Sequence, residues 1–330
     1  MILMAEAGTY YNIFKKSKLM VSIYREYNDL ENIIEKSIVV IGNFDGVHLG
    51  HKAVLNYAKS LKNNNNEKIV VLTFYPHPLK VLRPEYAPKN ILSFRSKVMK
   101  MRELGIDIIV AQRFNKNFSN ISAENFIKIV LCKGLSAQHI VIGDDFRFGH
   151  NREGDINYLK SQENKNNFKV HIINEISGEN VRYSSSIVRD MILKGKMLDT
   201  NKVLGYFYEI EGRVVKGEQL GRELGFPTAN VHYLNTIIPH DGVYAGWVQF
   251  NNKTYKSAIS TGCRPQFKGK KRFLEAYIID FSGDIYGTRI KVSLVKKIRN
   301  EEVFSNIENL KKQMGLDCKE AIKILEENKI

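Results

Sequence analysis

A run of four apolar residues opens the stretch 38–51, which also contains three glycines and two histidines: Ile-Val-Val-Ile-Gly-Asn-Phe-Asp-Gly-Val-His-Leu-Gly-His. The apolar run 38–41 predicts a short buried strand, and the glycines permit a tight turn close to a bound group. His48 and His51 stand at the start of the apolar-periodic stretch 53–61, so both are expected on one face of a helix's first turn. This order predicts a phosphate site, because unpaired N–H groups and the helix dipole favour an anion there.

The histidine pair leaves two other interpretations open. The two imidazoles can lie together in a loop by chance, or they can hold a metal ion. A metal site is disfavoured because no cluster of Cys or carboxylate residues supplies the remaining ligands. The chain has no G-x-x-x-x-G-K-[ST] or G-x-G-x-x-G sequence, so phosphate binding in its first half depends on the histidine run.

Length and composition limit the class of protein. A chain of 330 residues, 43% hydrophobic and 26% charged, is long enough for two domains with separate cores. The net charge of +15 fits nucleic acid, an anionic membrane surface or small anionic substrates as partners. Because the lysines and asparagines are scattered, we expect small anionic substrates and no nucleic acid.

Other sequence features concern location. No apolar run approaches the ~20 residues of a membrane span, so we expect no membrane association. Cys132, Cys263 and Cys318 lack metal-binding spacing and are too few for a disulfide framework, which favours free thiols in a reducing cytoplasm. Residues 1–19 lack the pattern of a secretory signal and are expected to form a flexible extension.

The first half of the chain alternates strand and helix patterns. Further strands are expected at 68–74, 106–110, 139–142 and 168–173, and helices at 93–104, 122–133 and 155–160. This alternation predicts a parallel sheet wound on both faces, with ligands beyond the carboxyl ends of its strands.

Three further stretches come after predicted strands. Residues 73–78 turn through two prolines, residues 143–149 carry two aspartates, an arginine and two phenylalanines, and residues 183–189 open a helix with three serines. Each also has a structural interpretation: a strand end, a tight turn with two core aromatics, and a helix cap. The third is more indicative of a phosphate site, because serine hydroxyls and Arg189 one turn later together form a clamp.

The second half changes period. Short β-rich segments at 206–215, 242–250, 254–260, 273–281 and 288–295 predict a small closed barrel, and 303–329 predicts two terminal helices packed on it.

The run 217–230 is rich in glycine and ends in Pro-Thr-Ala-Asn. Thr228 and Asn230 place a hydroxyl and an amide oxygen two residues apart, which suits a hydrated Mg²⁺ between phosphates. The alternative is a glycine-rich hairpin closed by a proline. Glu275 alternates with inward apolar positions, so its carboxylate requires either a salt bridge or a catalytic role.

These runs resemble one family. Residues 42–51 carry the H-x-G-H signature of the nucleotidyltransferases in a form similar to the bifunctional prokaryotic FAD synthetases, and 221–230 resembles the hallmark of riboflavin kinases. The strand 274–281 resembles the one that carries their catalytic glutamate. The resemblance runs from about Met20, near which the family usually begins, to the end of the chain.

The resemblance implies a Rossmann-like nucleotidyltransferase domain over 20–198 and a small Greek-key-like β-barrel kinase domain over 202–330. It implies ATP-dependent conversion of riboflavin to FMN in the barrel and adenylylation of FMN to FAD in the first domain. ATP, riboflavin and FMN are then the substrates, Mg²⁺ the cofactor, and the chain a monomer or weak homo-oligomer. The implied residues are His48, His51, Arg189 and Glu275 for catalysis; Gly42, Phe44, Asp45, Gly46, Gly50, Ser185, Ser186, Gly221, Arg222, Gly225 and Pro227 for nucleotide; Pro76, His77, Pro78, Asp145, Phe146, Phe148 and Arg264 for flavin; and Thr228 and Asn230 for metal.

The sequence departs from the family pattern at four positions. Tyr75 stands where the family usually has Asp, Ser186 where it has Thr, Leu220 where it often has Arg, and Gln266 where it often has Thr. The departures at Leu220 and Gln266 concern the kinase.

Two other functions stay open: adenylylation of a different substrate with the barrel as an accessory, and RNA binding by aromatics of the barrel.

Overall fold

The computed structural model describes residues 9–10, 21–63, 66–174, 177–178, 181–217, 221, 224–263 and 272–329. Its contacts divide the chain into two compact units, Met1–Pro88 with Lys97–Tyr183, and Lys89–Ser96 with Ser184–Ile330. The domain boundaries inferred from the resemblance, 20–198 and 202–330, stay a prediction. Of the extension 1–19, only the short strand at residues 9–10 lies within the described part of the chain.

The first unit contains a sheet of seven described strands. They are β1 (Thr9–Tyr10), β2 (Ser22–Tyr24), β3 (Ser37–Ile41), β4 (Lys68–Tyr75), β5 (Ile108–Arg113), β6 (Ala137–Gly143) and β7 (Lys169–Ile173). The order is β1-β2-β5-β4-β3-β6-β7, and every neighbouring pair except β1–β2 is parallel. The predicted parallel sheet is therefore confirmed.

Helices connect and cover these strands. In chain order they are α1 (Leu49–Ser60), α2 (Pro78–Leu82), α3 (Phe94–Glu103), α4 (Lys116–Ser119), α5 (Ala123–Asn125) with a π-helical continuation (Phe126–Gly134), α6 (Ile156–Ser161) and α7 (Glu163–Asn166). A small antiparallel hairpin, β8 (Ser177–Gly178) and β9 (Val181–Arg182), follows β7.

Strand β3 lies in the middle of the sheet because its side chains are apolar on both faces. Residues 37–41 are all buried, and β3 pairs with β4 on one side and β6 on the other. The chain crosses from β5 to β6 past β3, so the strand order reverses beside β3. In an open parallel sheet this reversal opens a crevice at the carboxyl ends of the strands, where ligands bind.

The second unit contains a closed antiparallel barrel. Its elements are α8 (Ser185–Leu193), α9 (Met197–Leu204), β10 (Tyr208–Val215), β11 (Thr228–Tyr233), β12 (Gly242–Phe250), β13 (Lys253–Cys263), β14 (Arg272–Ile278), β15 (Arg289–Arg299) and α10 (Ile307–Glu327). The described strands close in the order β10-β11-β14-β13-β12-β15, which confirms the predicted barrel.

The prediction of two terminal helices is wrong, because 307–327 forms one helix, α10. Gly315 is the residue in it that disfavours a helix most, at a cost of about 1 kcal/mol. The second half of α10 offsets this cost, since Ala321, Ile324 and Leu325 are buried in a cluster with Val295 of the barrel.

Candidate active sites

The histidine run lies at the carboxyl end of β3. After Ile41, the Gly42 N–H continues the ladder to the Leu72 carbonyl at 3.1 Å, and a short turn then leads to α1. Phe44 (φ 50°), Gly46 (φ 88°) and Val47 (φ 39°) all have left-handed backbone in this turn. Such a conformation is strained for a β-branched valine, so surrounding contacts must hold the turn in place.

His48 caps α1 and is 4% exposed. Its Nδ1 accepts a hydrogen bond from the His51 N–H at 3.3 Å, so the neutral imidazole carries its proton on Nε2. The two imidazoles stack with centroids 3.6 Å apart, and the Phe44 ring meets His51 edge-on at 5.2 Å. A Cβ on Gly50 would lie 3.2 Å from the His48 ring, so glycine at this position leaves the ring its space. The structure thus brings both histidines together at a helix N-terminus, as predicted.

The segment after β4 reaches the same turn. The Tyr75–Pro76 peptide is cis, Pro78 begins α2, and His77 caps that helix by accepting from the Leu79 N–H at 3.2 Å. His77 Nε2 lies 3.3 Å from Nδ2 of Asn43 in the turn. Because β4 is the parallel neighbour of β3, its carboxyl end brings this second predicted stretch to the histidine run.

The segment after β6 contains both polar and core residues. Asp145 is exposed, and the rings of Phe146 and Phe148 stack with centroids 5.4 Å apart. Phe148 is buried and packs on Phe126 with centroids at 5.3 Å, so this ring belongs to the core. Phe146 is partly buried against the same core cluster.

Lys97 is a buried residue beside the histidine run that was not among the residues predicted from sequence. It is 9% exposed, and its ammonium donates to the Asn43 carbonyl at 3.0 Å and to Thr73 Oγ1 at 3.2 Å. Burial lowers the pKa of Lys97 from 10.5 to about 8, and the nearby Asp45 carboxylate opposes that shift. Its neighbours Val98 and Met101 are also buried, and their apolar side chains are the sequence signal that this face of the helix points inward.

The third stretch forms the start of α8 in the second unit. Ser184, rather than Ser185 or Ser186, is the cap, and its hydroxyl accepts from the Ile187 N–H at 3.3 Å. Ser185 and Ser186 are the first two residues of the helix. Arg189 Nε donates to the Lys89 carbonyl at 3.0 Å, which ties α8 to the segment 89–96 of the same unit.

The barrel brings together the polar residues of β11 and β14. Thr228 Oγ1 donates to Glu275 Oε2 at 3.2 Å, and Asn230 stands directly opposite Glu275 in the ladder. Thr228 and Asn230 are two residues apart on one strand, so their side chains share a face. Thr228 and Asn230, which were expected to hold a metal, therefore lie at the start of a strand, and Glu275 faces them.

Two glycines enclose this face of the barrel. A Cβ on Gly217 would lie 2.2 to 2.6 Å from the Asn230 carboxamide atoms, and one on Gly221 would lie 3.3 Å from Thr228 Oγ1. Gly225 has φ +85°, and both it and Pro227 are exposed. Arg222, Arg264, Leu220 and Gln266 lie outside the described residues.

Comparison with known proteins shows the family of this chain. A family model described as FAD synthetase matches residues 30–187, and one described as riboflavin kinase matches residues 204–325. A bifunctional riboflavin kinase/FMN adenylyltransferase of Buchnera aphidicola is 40% identical over 89% of this chain and 96% of its own length. The chain belongs to the bifunctional FAD synthetase family.

Other FAD synthetase relatives agree over similar lengths. The bifunctional enzyme of Escherichia coli K12 is 37% identical over 86% of this chain and 91% of its own, and that of Bacillus subtilis is 34% identical over 87% and 92%. A crystal structure titled as a macrolide-efflux protein from Streptococcus pneumoniae matches with a TM-score of 0.82 and 30% identity, over 94% of this chain and 99% of that chain. In the part of the chain that the structure describes, no helix is long and apolar enough to cross a bilayer.

Proposed function

We propose that this chain makes FAD from riboflavin in two steps, by phosphorylating riboflavin to FMN in the barrel and adenylylating FMN in the α/β unit. The observation that carries the proposal is the contact of Thr228 with Glu275 at 3.2 Å, beside Asn230, in a chain that also presents paired histidines at a helix N-terminus. A phosphoryl-transfer site and an adenylyl-transfer site thus have separate supporting geometry.

In the kinase reaction, Glu275 accepts the proton of the riboflavin 5′-hydroxyl as that oxygen attacks the γ-phosphorus of ATP. The γ-phosphoryl group moves to the flavin, giving FMN and ADP. The hydrogen bond from Thr228 holds one carboxylate oxygen, so the proton acceptor has a defined position. Most of the acceleration comes from positioning and charge stabilisation, as in other phosphoryl transfers.

Thr228 and Asn230 fit a magnesium ion. Their oxygens share a face, and glycine at position 217 lets the Asn230 carboxamide keep its place there, because a Cβ would overlap it. We propose that these two residues hold Mg²⁺ together with ATP phosphate oxygens. When bound, the ion neutralises charge on the phosphates. The glycines let the backbone approach the nucleotide, and we assign Gly221, Arg222, Gly225 and Pro227 to it.

In the adenylylation reaction, an FMN phosphate oxygen attacks the α-phosphorus of ATP, and pyrophosphate leaves without a covalent enzyme intermediate. His48 and His51 donate to the α-phosphate oxygens as charge develops. The geometry at His48 supports this role, because its Nδ1 is occupied by the His51 N–H and its Nε2 therefore carries the proton. Donors that are already held in place need no reorganisation in the transition state.

The remaining site residues are proposed for substrate binding. Gly42, Phe44, Asp45, Gly46 and Gly50 form the turn and helix start at which we place the ATP phosphates, and we assign Ser185, Ser186 and Arg189 to nucleotide as well. Exposed Asp145, half-buried Phe146 and the Pro76–Pro78 turn are assigned to flavin, together with Arg264. Phe148 supports Phe146 from the core, which makes an indirect contribution to that site.

We also propose a cytoplasmic enzyme that acts on small molecules, without nucleic acid, as a monomer or weak homo-oligomer. The free thiols of Cys132, Cys263 and Cys318 support a reducing compartment.

A chromatographic assay tests the proposal. Purified protein is incubated with ATP and Mg²⁺ and either riboflavin or FMN, and the flavins are separated. FAD in both reactions is expected. FAD formed in the FMN reaction but not in the riboflavin reaction would show that the kinase is inactive, and the departures at Leu220 and Gln266 would be the first positions to test. No flavin product in either reaction would overturn the proposal.

A further inference from the structure

Lys97 of α3 is buried behind the turn that leads into the histidine run. This lysine is nine-tenths buried, and it donates to two acceptors that lie at strand ends of the α/β unit. Asn43 is the second residue after β3, and Thr73 is near the end of β4. Thr73 Oγ1 also donates to the Asn43 carbonyl at 3.2 Å, so two donors converge on one peptide of the turn.

The turn requires such support. Phe44 and Val47 have φ angles of 50° and 39°, which cost free energy and persist only when neighbours hold them. His48 follows Val47 directly, so any relaxation of the turn displaces the imidazole. A displacement of about 1 Å at a reacting group can cost on the order of 10²-fold in rate.

Asn43 also links the turn to the segment after β4. The side chain of Asn43, whose carbonyl Lys97 holds, lies 3.3 Å from His77 Nε2. The charged group that acts on Lys97 from the turn is Asp45. An uncompensated carboxylate at this position would repel phosphates, and the ammonium offsets its charge.

We infer that Lys97 is a positioning residue for FMN adenylylation, which fixes the Asn43 peptide so that His48 and His77 keep their places around the ATP phosphates and the flavin. Lys97 touches no reacting atom in this scheme. The inference rests on the proposed function, and it concerns only the adenylyltransferase reaction.

Burial makes it costly to keep the Lys97 ammonium charged. Removing the charge should therefore affect stability and activity differently. Methionine has nearly the same length and volume as lysine and carries no charge. Without Lys97 the Asn43 carbonyl still accepts from Thr73, so no buried acceptor is left unpaired. Lys97→Met is therefore expected to keep or raise the melting temperature and yet lower activity, whereas loss of a merely structural lysine lowers both.

The experiment measures both activities of the full chain in wild type, Lys97→Met and Lys100→Met. Lys100 is on the same helix, one turn on and partly exposed, and serves as the matched control. For Lys97→Met we expect kcat for FAD formation from FMN to fall on the order of 10²-fold. Riboflavin phosphorylation by the same protein should stay unchanged, which shows a folded barrel, and the melting temperature reports on the α/β unit. Lys100→Met should match wild type in both reactions.

The pH profile gives a second readout. The pKa of Lys97, lowered to about 8, implies that wild-type adenylylation declines as pH rises through that value, because the ammonium loses its proton. Lys97→Met should lack this decline, so the ratio of wild-type to variant rate should fall from pH 7 to pH 9. A pH-independent ratio, a wild-type rate in Lys97→Met, or a marked drop in its melting temperature would each overturn the inference. Failure of wild type to adenylylate FMN would instead overturn the proposed function.

Discussion

At the scale of single residues, His48 has two separable tasks. It caps α1 through its ring Nδ1, and it is proposed to donate to the ATP α-phosphate through Nε2. The first task is one that asparagine also performs well, since its short side-chain oxygen is among the best caps. The second task needs an imidazole. A substitution can therefore remove one task and keep the other.

We predict that His48→Asn keeps the melting temperature of the wild type and lowers the rate of FAD formation from FMN by on the order of 10²–10³-fold. The rate falls because a transition-state donor is lost, while the His51 N–H keeps an acceptor. His48→Ala serves as the control: it should lose the same rate and also about 1 kcal/mol of stability, the cost of a missing cap. Wild-type turnover in His48→Asn would contradict the assigned role.

Glu275 is the corresponding residue in the barrel. Glu275→Gln keeps an oxygen that can accept from Thr228 but removes the proton acceptor. We predict a loss of ~10²–10⁴-fold in riboflavin phosphorylation, the usual share of a general base. The variant should still convert supplied FMN to FAD at the wild-type rate, as measured by flavin chromatography. Loss of both activities would be inconsistent with the division of labour between the two units.

At the scale of elements, a bidentate ion pair adds to the hydrophobic packing of α10 on the barrel. Arg299, at the end of β15, donates from Nε to Asp317 Oδ1 at 2.9 Å and from Nη2 to Oδ2 at 2.8 Å. Gln313 adds a bond to the same carboxylate at 3.0 Å, and Asp317 is only 4% exposed. The hydrogen bonds with Asp317 raise the pKa of Arg299 above its ordinary value. Removal of Asp317 leaves the partly buried Arg299 guanidinium without the carboxylate that compensates its charge.

We predict that Asp317→Ala lowers the free energy of unfolding of the barrel by about 3 kcal/mol. The single tryptophan of the chain, Trp247, reports on this region, because its indole N–H donates to the Asn328 carbonyl just after α10, at 3.2 Å. Urea unfolding followed by tryptophan fluorescence therefore measures the change. Glu326→Ala is the matched control on the same helix, since its ion pair with Lys256 is exposed and worth less than about 1 kcal/mol. Equal effects of the two substitutions would refute the prediction.

At the scale of the whole molecule, the two proposed reactions have their key residues in different regions of the sequence, His48 for adenylylation and Glu275 for phosphorylation. A mixture of His48→Asn and Glu275→Gln therefore contains one working kinase and one working adenylyltransferase on separate chains. We predict that this mixture, supplied with riboflavin, ATP and Mg²⁺, forms FAD after a lag during which FMN accumulates. Each variant alone should form almost none. Flavin chromatography over time shows the lag, and absence of FAD from the mixture would mean that FMN made by one chain does not reach another.

Similarity over the whole chain also distinguishes between the functions that the sequence left open. The match of two family models to 30–187 and 204–325, with relatives aligned over nine-tenths of their own length, supports a bifunctional flavin enzyme. Neither adenylylation of an unrelated substrate nor RNA binding has support of this kind.

Local sequence determined much of this protein. The run 38–51 indicated a strand, a turn and a helix start, because four apolar residues, three glycines and a following helical period are local signals. The change of period after residue 202 indicated the barrel in the same way. The pairs of Thr228 with Asn230 and His48 with His51 were visible because their spacing alone puts each pair on one face.

Only the tertiary structure showed which residues from distant parts of the sequence meet. Glu275 meets Thr228 across 47 positions of chain, and Lys97 meets Asn43 across 54, through strand register and helix packing that no local period encodes. Lysine side chains are usually exposed, so the residue type of Lys97 predicts exposure, whereas the structure buries it. The single helix α10 is likewise a tertiary outcome, since burial of its second half against the barrel offsets the cost of Gly315.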